Sequence, residues 1–395
     1  MIDAGHEARL LADADTLSTA LELGVPAFPL AGNIKGTLAA NTAISSGAAQ
    51  GAQFGQTARV LANITNTHAA SWLRATVDVS QGCDAIIVSG LAAFVGFSTA
   101  EYLGIPAIGT GLIPITPTSA FASPFLPPNR VPRLLNRASH HLVNQLLWRA
   151  FRKATNNARM HVCNLAPRRR LWTDHAMLYG VSPALLPQPK DWPANARVCG
   201  QWPTPATAWS PPEALTQFLA AGEPPLYIGF GSMVGFEPKP TLEAIVAAVG
   251  DRRALFYPGW SGLDTSTLPR NFFVLGDTPH SWLLPKVALA VHHGGSGTMH
   301  SAARAGVPFV VVPFAGDQFF WADRLHAMGV AAKAVSGTPL QADALAQAID
   351  FAERSETRSR AKELGEQMRA EDGLQAAVAA IEGIMAAAAR DIPTS

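Results

Sequence analysis

The stretch that most constrains this chain runs from Val287 to Arg324, VALAVHHGGSGTMHSAARAGVPFVVVPFAGDQFFWADR. It opens on a short apolar run, Val287 to Val291, which reads as a buried strand. The chain then passes through His292, His293, Gly294, Gly295, Ser296, Gly297 and Thr298. A small-residue helix follows, Met299 to Ala305, and Gly306 suits a left-handed position at its end. Pro308 to Pro313 is a second, Val-rich run with the length of a buried strand. A strand, loop, helix and strand in this order form the building block of a parallel sheet, so the class is α/β.

The loop between strand and helix has the chemistry of an anion site. Its three glycines let the backbone turn and come close to a ligand without a Cβ penalty. The free N–H groups and dipole of the following helix favour a phosphate at that end. Ser296 and Thr298 add hydroxyls, and His293 can donate from a ring nitrogen; His292 points the other way, because strand neighbours alternate. A second polar turn, Gly316-Asp317-Gln318, opens the helix Phe319 to Met328, which Gly329 closes. The strands of such a unit end on one edge, which places Asp317 and Gln318 beside the phosphate. A carboxylate and an amide next to bound phosphates suit sugar hydroxyls, so the ligand read from these residues is a sugar nucleotide.

His293 to Thr298, taken with Pro313-Phe314-Ala315-Gly316-Asp317-Gln318, resembles the donor site of nucleotide-sugar-dependent glycosyltransferases of the GT-B type. The likeness is greatest to the bacterial and fungal sterol or lipid glucosyltransferases. It extends to Leu226–Met233, to Pro279-His280-Ser281-Trp282 and to Leu178–Leu185. The resemblance implies two Rossmann-like domains facing a cleft. Residues 1–204 would be the acceptor-binding domain, 205–375 the nucleotide-sugar domain, and 376–395 a helix returning to the first domain. The implied donor-binding residues are Ser232, His280, His293, Gly295, Ser296, Gly297, Thr298, Asp317 and Gln318. His280 matches the position that holds the nucleotide base, through its main chain. The ribose glutamate of the plant enzymes is absent, and Ser301 stands in its place. Ser232 also reads as a plain cap of the next helix, and both roles can hold together.

The length of 395 residues accommodates two ordinary domains. A formal charge of +1 gives no electrostatic reason to expect nucleic acid. Cys83, Cys163 and Cys199 stand far apart in no metal-ligand spacing, and are expected as free thiols in a reducing cytoplasm. No signal-peptide pattern follows Met1. The most membrane-like run, Ala85 to Ala100, is interrupted by serines and is shorter than the ~20 residues a bilayer needs. Peripheral contact with lipid remains open. Asp13-Ala14-Asp15 superficially resembles a metal pair, but Asp15 reads as an N-cap, and neither a metal nor a cofactor is expected beside the co-substrate.

Along the chain, Met1 to Gly5 looks like the last turn of a helix with its cap. Glu7 to Ala12 follows as a strand, Asp15 to Leu23 as a helix and Phe28 to Gly32 as a sheet edge. A doubly wound domain normally begins strand, Gly-turn, helix, so its first strand and loop are expected to precede Met1. A natural chain that lacks them is the other reading. Residues 33–58 read as a surface loop, Val60 to Val79 as a helix, Asp84 to Val88 and Pro106 to Gly109 as strands, and 137–158 as an amphipathic helix. Pro114 to Arg133, dense in proline and aromatics, is expected as a long ordered loop. In the family this loop shapes the acceptor pocket. Its Phe121, Phe125 and Leu126 suit an apolar acceptor or simple packing.

The implied reaction is inverting transfer of a hexose, glucose first among them, from a UDP-sugar to a hydroxyl of a sterol, lipid or polyketide. Its general base would lie on the loop before Met1, so no catalytic residue is assigned. The rival is a protein that binds a nucleotide sugar without transferring it. A nicotinamide-dependent Rossmann enzyme is a poor third, since no Gly-x-Gly-x-x-Gly follows a strand with an acid some ~20 residues on.

Overall fold

The protein is described from a computed structural model. It covers residues 1–32, 50–204, 209–231, 238–259, 263–336 and 340–390, with side chains of 50–61 and 238 excluded. Ser232, and most of the loop expected at 33–58, lie outside the described residues.

Among the described residues every strand pair is parallel, and the strands form three sheets. The first holds β1 (Leu10–Asp13) and β2 (Ala27–Leu30). The second holds β3 (Ile86–Val88), β4 (Ala107–Gly111), β5 (Ala176–Tyr179) and β6 (Ala196–Val198), in that order. The third is built from β7 (Leu226–Gly229), β8 (Ala254–Tyr257), β9 (Phe272–Val274), β10 (Leu289–His292) and β11 (Phe309–Val311), in the order β11-β10-β7-β8-β9. That order reverses direction between β7 and β10, where His292 stands in register with Gly229. In an open α/β sheet the crevice beyond the strand ends at such a switch point is where ligands bind.

The helices are α1 (Ser18–Glu22), α2 (Gln50–Val79), α3 (Ala93–Leu103), α4 (Asn136–Cys163), α5 (Glu213–Ala220), α6 (Pro238–Val249), α7 (His280–Leu283), α8 (Ser296–Ala305), α9 (Gln318–Ala327), α10 (Ala342–Ala352), α11 (Ser355–Arg369) and α12 (Gly373–Arg390). The third sheet is covered on both faces, which is why its strands are continuous apolar runs. Leu226, Ile228, Ala254, Phe256, Leu289, Val291 and Val310 belong to one core, with α6 and α10. Their strand neighbours Tyr227, Leu255, Ala290, Phe309 and Val311 belong to another, with α8, α9 and α11. That second core continues into Tyr179, Val181, Leu185 and Trp192 of the first half. One apolar layer therefore joins the two halves.

The joint is tight elsewhere too. Gly200, at φ 100°, backs onto Gly373, and a Cβ on it would stand 2.8 Å from the Gly373 Cα. The Trp202 indole donates to the Gly373 carbonyl at 3.0 Å, and Ala380 and Ile381 of α12 pack with Ile108 and Leu178 of the second sheet.

Several expectations shift. The helix expected at 137–158 extends over α4, and that expected from Val60 starts at Gln50. The helix after the glycine loop starts at Ser296, three residues early, because small residues there meet no steric obstacle to helical backbone. Asp13 caps its own turn by accepting from the Asp15 N–H at 3.3 Å, so the cap is the first aspartate of that pair. The three cysteines are free.

Candidate donor site

The site is built where β7, β8, β10 and β11 end. β10 is fully buried through His292, and the chain then turns at Gly294, φ 85°. Only glycine fits this turn: a Cβ would lie 2.8 Å from Val311 Cγ1 and 3.3 Å from the Gln318 carbonyl. Gly294 thus rests against the start of α9, so the two polar turns of the sequence are neighbours in space.

His292 and His293 do point apart. The buried His292 ring accepts from the Gly294 N–H through Nδ1 at 2.9 Å and packs on Phe309. His293 turns toward the crevice between Gly231 and Gly295; a Cβ on Gly231 would meet its Cε1 at 3.1 Å. It is 9% exposed, and its Nδ1 is buried without a hydrogen-bond partner among the described residues. Burial, with the neighbouring His280, pushes the His293 ring down to about 4, so it is neutral at pH 7. Burial pushes His292 down to about 3.

α8 starts directly on Gly295, with no side chain capping it. Its first helical bond is Met299 N–H to the Gly295 carbonyl at 3.0 Å. The N–H groups of Ser296, Gly297 and Thr298 therefore have no helical partner. The Ser296 hydroxyl is not available beside them. It donates to the Leu112 carbonyl at 3.2 Å, which ties the helix start to the end of β4. What Ser296 offers a ligand is its N–H.

Asp317 and Gln318 open α9. The Gln318 Oε1 accepts from the N–H groups of Phe314 and Ala315 at 2.7 and 3.1 Å, holding the turn in shape. The half-buried Asp317 accepts from the Trp321 indole at 2.9 Å. Burial raises its carboxyl to about 6, with the Trp321 bond opposing. His280 begins α7 and meets the Tyr227 hydroxyl through Nε2 at 3.3 Å, which places it at the same strand edge.

Two elements beside the site carried no sequence signal. One is His300, one turn into α8. Its Nδ1 lies 2.7 Å from the Ser296 carbonyl, and its Nε2 accepts from the Ser182 N–H at 3.3 Å. One neutral tautomer satisfies both contacts and couples the helix to the first half. The other is the clamp on residues 114–133. The Tyr179 hydroxyl holds Ile115 and Thr116, and Asp191 holds Thr118 and Ser119 at 2.6 to 2.8 Å. Those bonds hold Asp191 down to about 2. The loop is ordered, as expected, and its Phe121 ring packs 5.2 Å from Phe320 of α9. It therefore stands next to the Asp317 turn.

The family described as "Erythromycin biosynthesis protein CIII-like, C-terminal domain" matches residues 245–383. A sterol 3-beta-glucosyltransferase of Arabidopsis thaliana is 32% identical over 389 residues, which is 95% of this chain and 63% of that protein. A sterol 3-beta-glucosyltransferase of Komagataella phaffii is 33% identical over 78% of this chain and 27% of its own length. This chain is a homologue of the sterol glucosyltransferases.

It spans less than two thirds of these relatives. Among solved structures, the glycotransferase of kitacinnamycin superposes with a TM-score of 0.65 at 20% identity, over 96% of this chain and 92% of the other. The glycosyltransferase VinC, solved in complex with dTDP, gives 0.63 at 20% identity over 96% and 93%. The sterol glucosyltransferase homologue thus has the GT-B fold.

Proposed function

We propose that this chain binds a UDP-hexose at the ends of β7 and β10 and transfers the sugar, with inversion, to a hydroxyl of an apolar acceptor such as a sterol. The observation that carries the reading is the start of α8. Three N–H groups without helical partners, a neutral buried His293 and close-packed glycines converge at the switch point of a parallel sheet.

In this reading the acceptor oxygen attacks the anomeric carbon as the bond to the diphosphate breaks, and the electron pair leaves with the β-phosphate oxygen. Developing charge there is met by the N–H groups of Ser296, Gly297 and Thr298, by the α8 dipole and by His293. No metal is assigned a role. Asp317, ionised above about pH 6, and the Gln318 turn would take sugar hydroxyls. His280 would stand by the base. The clamped loop at 114–133 would wall the acceptor.

The attacking hydroxyl needs a general base. No described residue is assigned that role. A second reading is a chain that binds a nucleotide sugar without turnover. Free cysteines fit the cytoplasmic location proposed for either.

Calorimetric titration with UDP, paired with a transfer assay from UDP-glucose to a sterol panel, tests both. Binding with transfer supports the enzyme, and binding without transfer supports the second reading. A folded chain that does not bind UDP refutes the donor site.

A further inference from the structure

We propose that the outer face of α4, with the turn that leads into it, is a docking surface for an anionic lipid bilayer. The inference goes beyond the donor reading and does not depend on it.

The inner face of α4 is used by the fold: Val143, Trp148, Phe151 and Ala158 are buried. The outer face is not. Leu134 is 85% exposed, Leu142 58%, Leu146 52% and Leu135 45%. A single exposed leucine needs no explanation. Here Leu135, Leu142 and Leu146 follow one another at helical spacing, so they form one stripe. The stripe continues along the same face into Arg149 and Lys153, with Arg152 beside it, all exposed. None of these three cations has a carboxylate partner among the described residues.

Charge is the second, independent observation. The whole chain is balanced, with 30 basic and 29 acidic residues. Yet residues 102–173 contain no Asp or Glu and ten Lys or Arg. Only Arg159 of these is buried, on Glu101. An exposed face that carries leucines together with unpaired cations offers an anionic bilayer both apolar burial and charge attraction. Nucleic acid would call for the cations but leave the leucines without a role. The turn at the N-terminal end of this face continues directly from the clamped loop whose Phe121 packs on α9. A bilayer on this surface would therefore hold an apolar acceptor close to the donor crevice.

Vesicle flotation of the full chain tests this. Vesicles of phosphatidylcholine with about a third phosphatidylserine should carry the protein and pure phosphatidylcholine should not, and raised salt should release it. The double variant Leu142→Gln/Leu146→Gln and the triple variant Arg149→Gln/Arg152→Gln/Lys153→Gln should each lower partitioning on the order of a hundredfold. Circular dichroism and UDP titration should be unchanged in both, which separates this surface from the donor site. Parent protein that ignores anionic vesicles overturns the proposal, as do folded variants that float like the parent. So does binding that survives loss of the leucines and is competed by duplex DNA, or leucine variants that merely dissociate a dimer.

Discussion

Gly297→Ala separates what the fold needs from what a ligand needs. Gly297 lies in the first turn of α8 with ordinary helical backbone, and a Cβ built on it has nothing within 4 Å. The protein alone therefore gains from alanine, which is favoured over glycine in a helix by up to about 1 kcal/mol. For a chain of this size that raises Tm by about 1–4 °C. A diphosphate seated on the N–H groups of Ser296 to Thr298 would meet the new methyl. Loss of one hydrogen bond to a charged oxygen costs about 1.5–3 kcal/mol, or about 10- to 150-fold in Kd for UDP. Differential scanning fluorimetry and isothermal titration on the same preparation read both quantities. The expected signature is a rise in Tm with a fall in affinity. Unchanged affinity with a raised Tm would place the diphosphate elsewhere. A lowered Tm would show that the glycine serves the fold, and the reasoning would fail.

Gly294→Ala has the opposite logic: positive φ costs about 1–2 kcal/mol and the overlap with Val311 about 1–3, so urea unfolding should show a loss of roughly 2–5 kcal/mol. His300→Ala removes the ring that links α8 to Ser182 and leaves a void, so stability should drop by roughly 2–4 kcal/mol with weaker UDP binding in the folded fraction. Stability should also fall between pH 7 and pH 5. His292, His293 and His300, lowered by burial to about 3, 4 and 4, stay neutral in the fold while the unfolded chain takes up protons below about 6.5. Their contribution is complete above that pH and is lost on acidification, at about 2 kcal/mol each by pH 5. Asp317, raised to about 6, works the other way and returns about 1 kcal/mol. Chemical denaturation at both pH values should show a net loss on the order of 5 kcal/mol, and stability flat across this range would contradict the buried histidines.

Much of the donor half was legible in the sequence because its signals are local. The apolar runs expected as strands at Val287 to Val291 and Pro308 to Pro313 correspond to β10 and β11, since a strand buried on both faces is a plain apolar run. Gly306 and Gly329 stop their helices at positive φ because only glycine reaches that conformation freely. The neighbourhood of Gly294 and Gln318 followed from one rule, that successive strands of a parallel unit end on the same edge. The first half was harder to read. β5 and β6 lack the Val-rich runs of the third sheet, and Ala196–Val198 is a strand mainly because β5 lies beside it.

The sequence by itself determined the class of fold, the place of the glycine loop and the small set of residues that can face an anion. These depend on periodicity, on glycine's freedom at positive φ and on the unpaired N–H groups at a helix start, which are properties of neighbouring residues. Tertiary structure alone decided how those residues are used. It directed the Ser296 hydroxyl to the Leu112 carbonyl, 184 positions away, and left only its N–H for a ligand. It set Oε1 of Gln318 to holding its own turn, and made the neutral form of His300 a link between the halves. It also left four leucines of the segment 134–146 facing outward. Each outcome depends on which distant groups share a buried volume, and a polar group removed from water must take whichever partner the fold brings within reach.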